Sequence, residues 1–134
     1  MKICSNCNQY GDFGPDPRSI DALQSNCRAC RRSYQRWQGL RRFWPGSTAE
    51  QAKINFNKLF TEQDGCCAVC NKHQSEMNRA ISVDHDHETG QVRGLLCGAC
   101  NRAIGILKDS ADTLDKAATY LRRSKLRLVK NENQ

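Results

Sequence analysis

Eight of the nine cysteines in this 134-residue chain fall into four Cys-x2-Cys pairs. They are Cys4 with Cys7, Cys27 with Cys30, Cys67 with Cys70, and Cys97 with Cys100. Two such pairs close a tetrahedral metal shell and leave no open position. The chain is therefore expected to fold around two structural zinc ions. Its hydrophobic content is 38%, with few Leu, Ile, Val or Phe residues, so a large apolar core is not available. Disulfides are the competing use of so many thiols. No signal peptide precedes Met1-Lys2-Ile3-Cys4, so a cytoplasmic setting with reduced thiols is expected. Cys66 is the spare cysteine. Cys67 keeps the two-residue gap to Cys70 and is preferred over it as a ligand. No apolar run approaches membrane-spanning length, so no membrane partner is expected.

Net charge is +7, and its distribution is uneven. Residues 1–46 carry +5, residues 47–108 are balanced, and residues 109–134 carry +2. Basic arms around a neutral middle suit a site held between two nucleic-acid-gripping ends. Two domains are expected. One is an N-terminal four-cysteine zinc module with a basic, aromatic-rich helix, residues 1–46. The other spans residues 47–134.

Between Arg28 and Trp44, six arginines (Arg28, Arg31, Arg32, Arg36, Arg41 and Arg42) interleave with four aromatics. The spacing predicts a helix over 28–38, closed by Pro45-Gly46. The arginines suit phosphates. The aromatics are expected mostly to pack, because a small zinc domain has few other core residues. Ser47-Thr48-Ala49-Glu50 predicts a capped helix start, with Ile54, Phe56, Leu59 and Phe60 as its apolar face. Asp64-Gly65 should stop that helix. Residues 81–96 predict a hairpin with its turn at Glu88-Thr89-Gly90, followed by a short helix from Cys97 to Gly105. A last helix is predicted over 111–128, capped by Ser110, with Leu114, Ala117, Ala118 and Leu121 along one face and a basic end. The tail from Asn131 is expected to be disordered.

Asp84-His85-Asp86-His87 lies on that hairpin, between the two cysteine pairs of the second set. Asp84 offers the hard oxygen that magnesium or manganese favours, and Asn101 an amide oxygen. His85 suits a general base, His87 either orientation of the phosphate or assistance to the leaving group, and Arg93 a hold on the phosphate. Asp84 and His85 are adjacent, so a regular strand would send them to opposite faces. A bend there would be needed to aim both at one phosphate. The bland alternative is a polar hairpin. A further zinc site is disfavoured because each set already holds four cysteines. His73, in the 71–79 loop, is expected to be incidental.

Residues 66–123 resemble the recombination endonuclease VII family of phage nucleases, within the HNH or ββα-metal (His-Me finger) group. The resemblance rests on Cys67-x2-Cys70, Val83-Asp84-His85-Asp86-His87, Thr89-Gly90-Gln91-Val92-Arg93-Gly94-Leu95-Leu96-Cys97, Cys100-Asn101-x3-Gly105 and the helix from Asp112 to Leu121. It implies a small zinc-stabilised α+β fold with a ββα-metal nuclease core, preceded by the zinc module and flanked by helices. It implies that Asp84 and Asn101 bind the divalent metal, His85 activates water and His87 belongs to the active site. It also implies that Cys67, Cys70, Cys97 and Cys100 hold zinc. The implied reaction hydrolyses a DNA phosphodiester to 5′-phosphate and 3′-hydroxyl ends, in phage or bacterial host cytosol.

Ile104 stands where some family members carry a catalytic glutamate. Junction-resolving members have a longer C-terminal region that builds an intertwined dimer, so nicking is favoured over coordinated junction cleavage. Monomer and homodimer remain open. A restriction or homing enzyme of the same fold is a further reading. The reading from a different class is a non-catalytic zinc module that only binds nucleic acid.

Overall fold

The computed structural model describes the backbone of residues 1–131 and side chains through residue 123. It divides into two compact units, Met1–Lys58 and Leu59–Gln134. No helix of the described residues is long and apolar enough to cross a membrane.

In the first unit the cysteines organise the chain. Cys4 N–H donates to Gln9 O at 3.0 Å and Asn8 N–H returns to Cys4 O at 2.9 Å, with Asn8 at φ 55°. Asn tolerates this left-handed conformation better than most residues, which permits the tight turn. Gly11 approaches so closely that an added Cβ would sit 2.7 Å from Cys27 Cβ. Cys4, Phe13 and Cys27 form the buried centre, with Leu23 and Cys30 against it.

Helix α1 spans Arg28–Leu40, starting from Cys27 as N-cap, and a 3-10 turn over Arg41–Phe43 continues it. It therefore runs two residues past the predicted end before the chain turns. None of its residues is buried. Helix α2, Ala49–Glu62, opens with a reciprocal cap: Gln51 N–H donates to Thr48 Oγ1 and Thr48 N–H to Gln51 Oε1. That is the capping-box geometry, made by Gln51 at the third helical position and not by Glu50. Ala52 and Phe56 form its buried face, whereas Ile54, placed on the apolar face by the sequence, is exposed. Its end follows expectation: Asp64 and Gly65 take positive φ, and Gly65 N–H closes on Phe60 O at 2.8 Å.

The second unit repeats the turn found at Cys4. Cys67 N–H donates to Lys72 O and Asn71 N–H to Cys67 O, with Asn71 at φ 57°. Strands β1, Ser82–His85, and β2, Val92–Leu96, form the predicted antiparallel hairpin. Helix α3, Gly98–Ile106, starts from Cys97 as N-cap, as α1 starts from Cys27, and contacts both strands. Cys67, Leu96 and Cys97 are buried together, with Met77, Cys100 and Ile104 packed on them. Gln63 acts as a third edge for β2: its amide nitrogen donates to Leu95 O at 2.9 Å and its oxygen accepts from Leu95 N–H at 2.8 Å. His73 has a local task, its Nδ1 accepting from Ser75 N–H to cap a 3-10 turn over Gln74–Glu76.

Helix α4 spans Ala111–Asn131, and Ser110 caps it through Thr113 N–H as predicted. Leu114 and Ala118 are half-buried, but Ala117 and Leu121 are exposed, so the apolar stripe is only partly covered. The side chains of Lys125 and Arg127, part of the predicted basic end, lie outside the described residues, as do residues 132–134 of the predicted disordered tail.

Candidate active site

Each four-cysteine set brings its sulfurs within 4.8 Å of one another. Cys70 Sγ and Cys97 Sγ are 3.8 Å apart. With Zn–S bonds of about 2.3 Å, the edge of a tetrahedron is about 3.8 Å. The two sets are therefore positioned for zinc. Backbone amides prepare the sulfurs for it: Cys27 N–H and Asn6 N–H point at Cys4 Sγ, and Cys100 N–H at Cys97 Sγ. The Cys27 amide above all draws the Cys4 thiol down to about 6. Burial opposes ionisation of Cys67, yet the amides of Cys70, Cys97 and Val69 bring it to about 6 as well. All nine cysteines are free of disulfides.

Between the cysteine pairs of the second set, the hairpin is not regular. Asp84 lies opposite Gly94 and His85 opposite Val92, so Arg93 is an extra residue on β2. A bulge of this kind bends the strand and re-aims side chains. It falls opposite the Asp84-His85 step, where a regular ladder would send the two side chains to opposite faces. Asp84 is buried, 6% exposed, and His85 is half-buried beside it. Arg93 reaches back to Asp84, Nε to Oδ2 at 2.7 Å and Nη2 to Oδ1 at 3.2 Å. That carboxylate holds the guanidinium even more firmly protonated than usual. The rings of His85 and His87 stand 4.9 Å apart, centroid to centroid.

Asp86 turns away from this chemistry. Its carboxylate accepts the amides of Thr89 and Glu88 and so ties the hairpin turn, and those amides, Thr89 first, hold its carboxyl below the usual range. Asn101 is half-buried on α3, and among the described residues no hydrogen bond joins it to Asp84.

One participant was not predicted. Asp109, between α3 and α4, accepts from His87 Nδ1 at 2.6 Å and lies 3.4 Å from Arg93 Nη2. His87 first, then Arg93, hold its carboxyl below the usual range. Asp84, Arg93, Ile104 and Asp109 line a cavity of about 310 Å³. The only sequence signal for Asp109 was a lone acid between two helices, which is commonplace.

The basic segment is more occupied than the sequence suggested. Arg28 pairs with Asp12, Arg36 stacks on Trp37 and Phe56, Arg41 donates to Ser47 O, and Arg42 lies over Phe43. Trp37 meets Phe56 edge to face, as expected of packing aromatics. The side chains of Arg31 and Arg32 are exposed and make no hydrogen bond or ion pair among the described residues.

Residues 40–123 match the recombination endonuclease VII family. The chain belongs to that family. The match begins well before the cysteine pair at which the sequence resemblance started. Two relatives are the Gene 59 proteins of Mycobacterium phages D29 and L5. The first is 42% identical over 79 residues, covering 58% of this chain and 45% of the relative. The second is 40% identical over 65 residues, covering 48% and 39%. The chain thus spans less than half the length of these relatives. Among solved structures, the ββα-Me type II restriction endonuclease Hpy99I is similar at 24% identity and a TM-score of 0.44, over 92% of this chain and 65% of that one. In this endonuclease VII family chain, the matched region contains the bulged hairpin, the second cysteine set and Asp109.

Proposed function

We propose that this chain is a DNA endonuclease of HNH type that depends on a divalent metal and nicks or cleaves phosphodiester bonds, branched DNA being a candidate substrate. The observation that carries the reading is the bulge at Asp84-His85, set between zinc-ligand pairs in a member of the endonuclease VII family. In this reading residues 1–46 are a zinc module whose Arg31 and Arg32 face DNA, and residues 47–134 are the nuclease domain. Both cysteine sets hold zinc, and the protein works in host cytoplasm.

Asp84 and Asn101 would hold magnesium or manganese. Arg93 donates one hydrogen bond to each Asp84 oxygen. A carboxylate has about four acceptor positions, so lone pairs remain for a cation. When bound, the metal supplies positive charge to the phosphate and leaving oxygen. His85 takes the proton from the attacking water. Arg93 holds a phosphate oxygen, and His87 faces the same group.

One observation favours the alternative, a zinc module that binds nucleic acid without cutting it: the Arg93 guanidinium already neutralises Asp84. A supercoiled-plasmid assay with magnesium, manganese or EDTA separates the two. Metal-dependent nicking or linearisation, lost in His85→Ala with zinc content unchanged, supports the nuclease. No cleavage by folded, zinc-loaded protein with either metal supports the binding module.

A further inference from the structure

Asp109 is placed by the way α3 ends. Lys108 N–H donates to Gly105 O at 3.0 Å and Asp109 N–H to Ile104 O at 3.1 Å. These are the two bonds of a Schellman close, with Lys108 where glycine is usual. Both Lys108 and Asp109 take φ 55°. The turn points the Asp109 carboxylate back at the hairpin, where it is 17% exposed. It reaches His87 across 22 positions of sequence.

A carboxylate at neutral pH only accepts hydrogen bonds. His87 Nδ1 must therefore carry the hydrogen in the 2.6 Å contact. In the neutral ring Nε2 is then a bare lone pair, and among the described residues it has no hydrogen-bond partner. An unassisted imidazole has no such fixed choice of tautomer or ring direction. The second Asp109 oxygen is buried without a hydrogen bond and lies 3.4 Å from Arg93 Nη2, an ion pair with the guanidinium that also spans to Asp84. One carboxylate thus joins the two groups proposed to face phosphate.

We propose that Asp109 is a positioning residue: it fixes His87 as the Nδ1–H tautomer with Nε2 presented outward, and braces Arg93 beside it. The inference rests on the nuclease reading for its consequence but not for its first readout. Asp109 has a competing structural task, namely to tolerate the left-handed backbone at the end of α3. Glycine performs that task at least as well and carries no carboxylate.

The test is ring ¹⁵N NMR of His87 in zinc-loaded wild type, Asp109→Gly and Asp109→Asn, followed by plasmid nicking with magnesium. Wild type should show protonated Nδ1. Asp109→Gly should keep its zinc and amide spectrum but shift His87 toward the Nε2–H form, with kcat lower by about 10- to 100-fold, the range seen when a partner that orients a catalytic ring is removed. Asp109→Asn, which retains an accepting oxygen, should keep much of the wild-type tautomer and rate. An Nε2–H ring in wild type overturns the proposal, and that spectrum decides it even if the glycine variant fails to fold. Full-rate cleavage with the tautomer lost also overturns it. Absence of cleavage in wild type counts against the nuclease reading alone, because the ring spectrum still decides what Asp109 does.

Discussion

Arg93 meets both oxygens of Asp84, at 2.7 and 3.2 Å, around a carboxylate side chain that is 7% exposed. The pair neutralises a charge that burial would otherwise penalise. Arg93→Ala should destabilise the protein by about 3–5 kcal/mol, the penalty for leaving a buried charge without its partner. Asp84→Asn added to Arg93→Ala should recover part of that loss. Urea unfolding of the four proteins in the cycle checks it; strictly additive effects would mean that the two side chains do not stabilise each other.

Removing one ligand from each cysteine set should remove one zinc equivalent. Cys4→Ser and Cys97→Ser each delete a buried ligand from a separate core. Metal analysis should fall from two zinc per chain to one in either variant. In Cys97→Ser, amide exchange at Leu95 should also accelerate, because the deleted sulfur belongs to the core beneath β2. Two zinc ions retained in both variants would rule out the eight-ligand assignment.

Gly94 leaves room for Gln63. An alanine Cβ there would sit 2.9 Å from Gln63 Oε1, the atom that accepts the Leu95 amide. Gly94→Ala should displace that side chain and cost about 1 kcal/mol, the worth of a hydrogen bond. Native-state hydrogen exchange should show Leu95 opening before its neighbours on β2. Unchanged protection of Leu95 would show that Gln63 yields without losing its bonds.

Arginines in the basic segment should divide into two behaviours. Arg31→Glu with Arg32→Glu should weaken DNA binding while leaving thermal stability near wild type. The slope of log affinity against log salt should fall by about two, one unit for each phosphate that is no longer neutralised. Arg36→Glu should instead lower stability, because it removes a guanidinium 4.8 Å from the Trp37 ring and 5.0 Å from Phe56. Unchanged affinity of the Arg31/Arg32 variant across a salt titration would take the DNA grip away from α1.

Local chemistry was legible in the sequence. The cysteine spacing announced both metal sets, Ser110 announced the start of α4, and Asp64-Gly65 the end of α2. These signals act through neighbouring backbone groups, so a few residues suffice. Ile54 misled because helical spacing names a face without naming what covers it. The bulge was not legible: Val92-Arg93-Gly94 contains nothing to say that two residues oppose one, since register is a property of two strands together. Asp109 escaped for a similar reason. Its position depends on how α3 closes, and its partner His87 is distant in sequence. The candidate site could be named from its hairpin residues, but the carboxylate behind them required the fold.

Cys70 and Cys97 meet 27 positions apart, and both strands lie inside that interval. A metal bound there turns the intervening chain into a closed ring. The search that brings β1 to β2, and both to the start of α3, is then confined within the ring, and much of the entropy of closure is already spent. Metal-loaded chain should therefore assemble the bulged hairpin as a local event. For metal-free chain the same hairpin is a long-range encounter, so the order in which zinc and structure arrive governs how fast the residues around Asp84 come together.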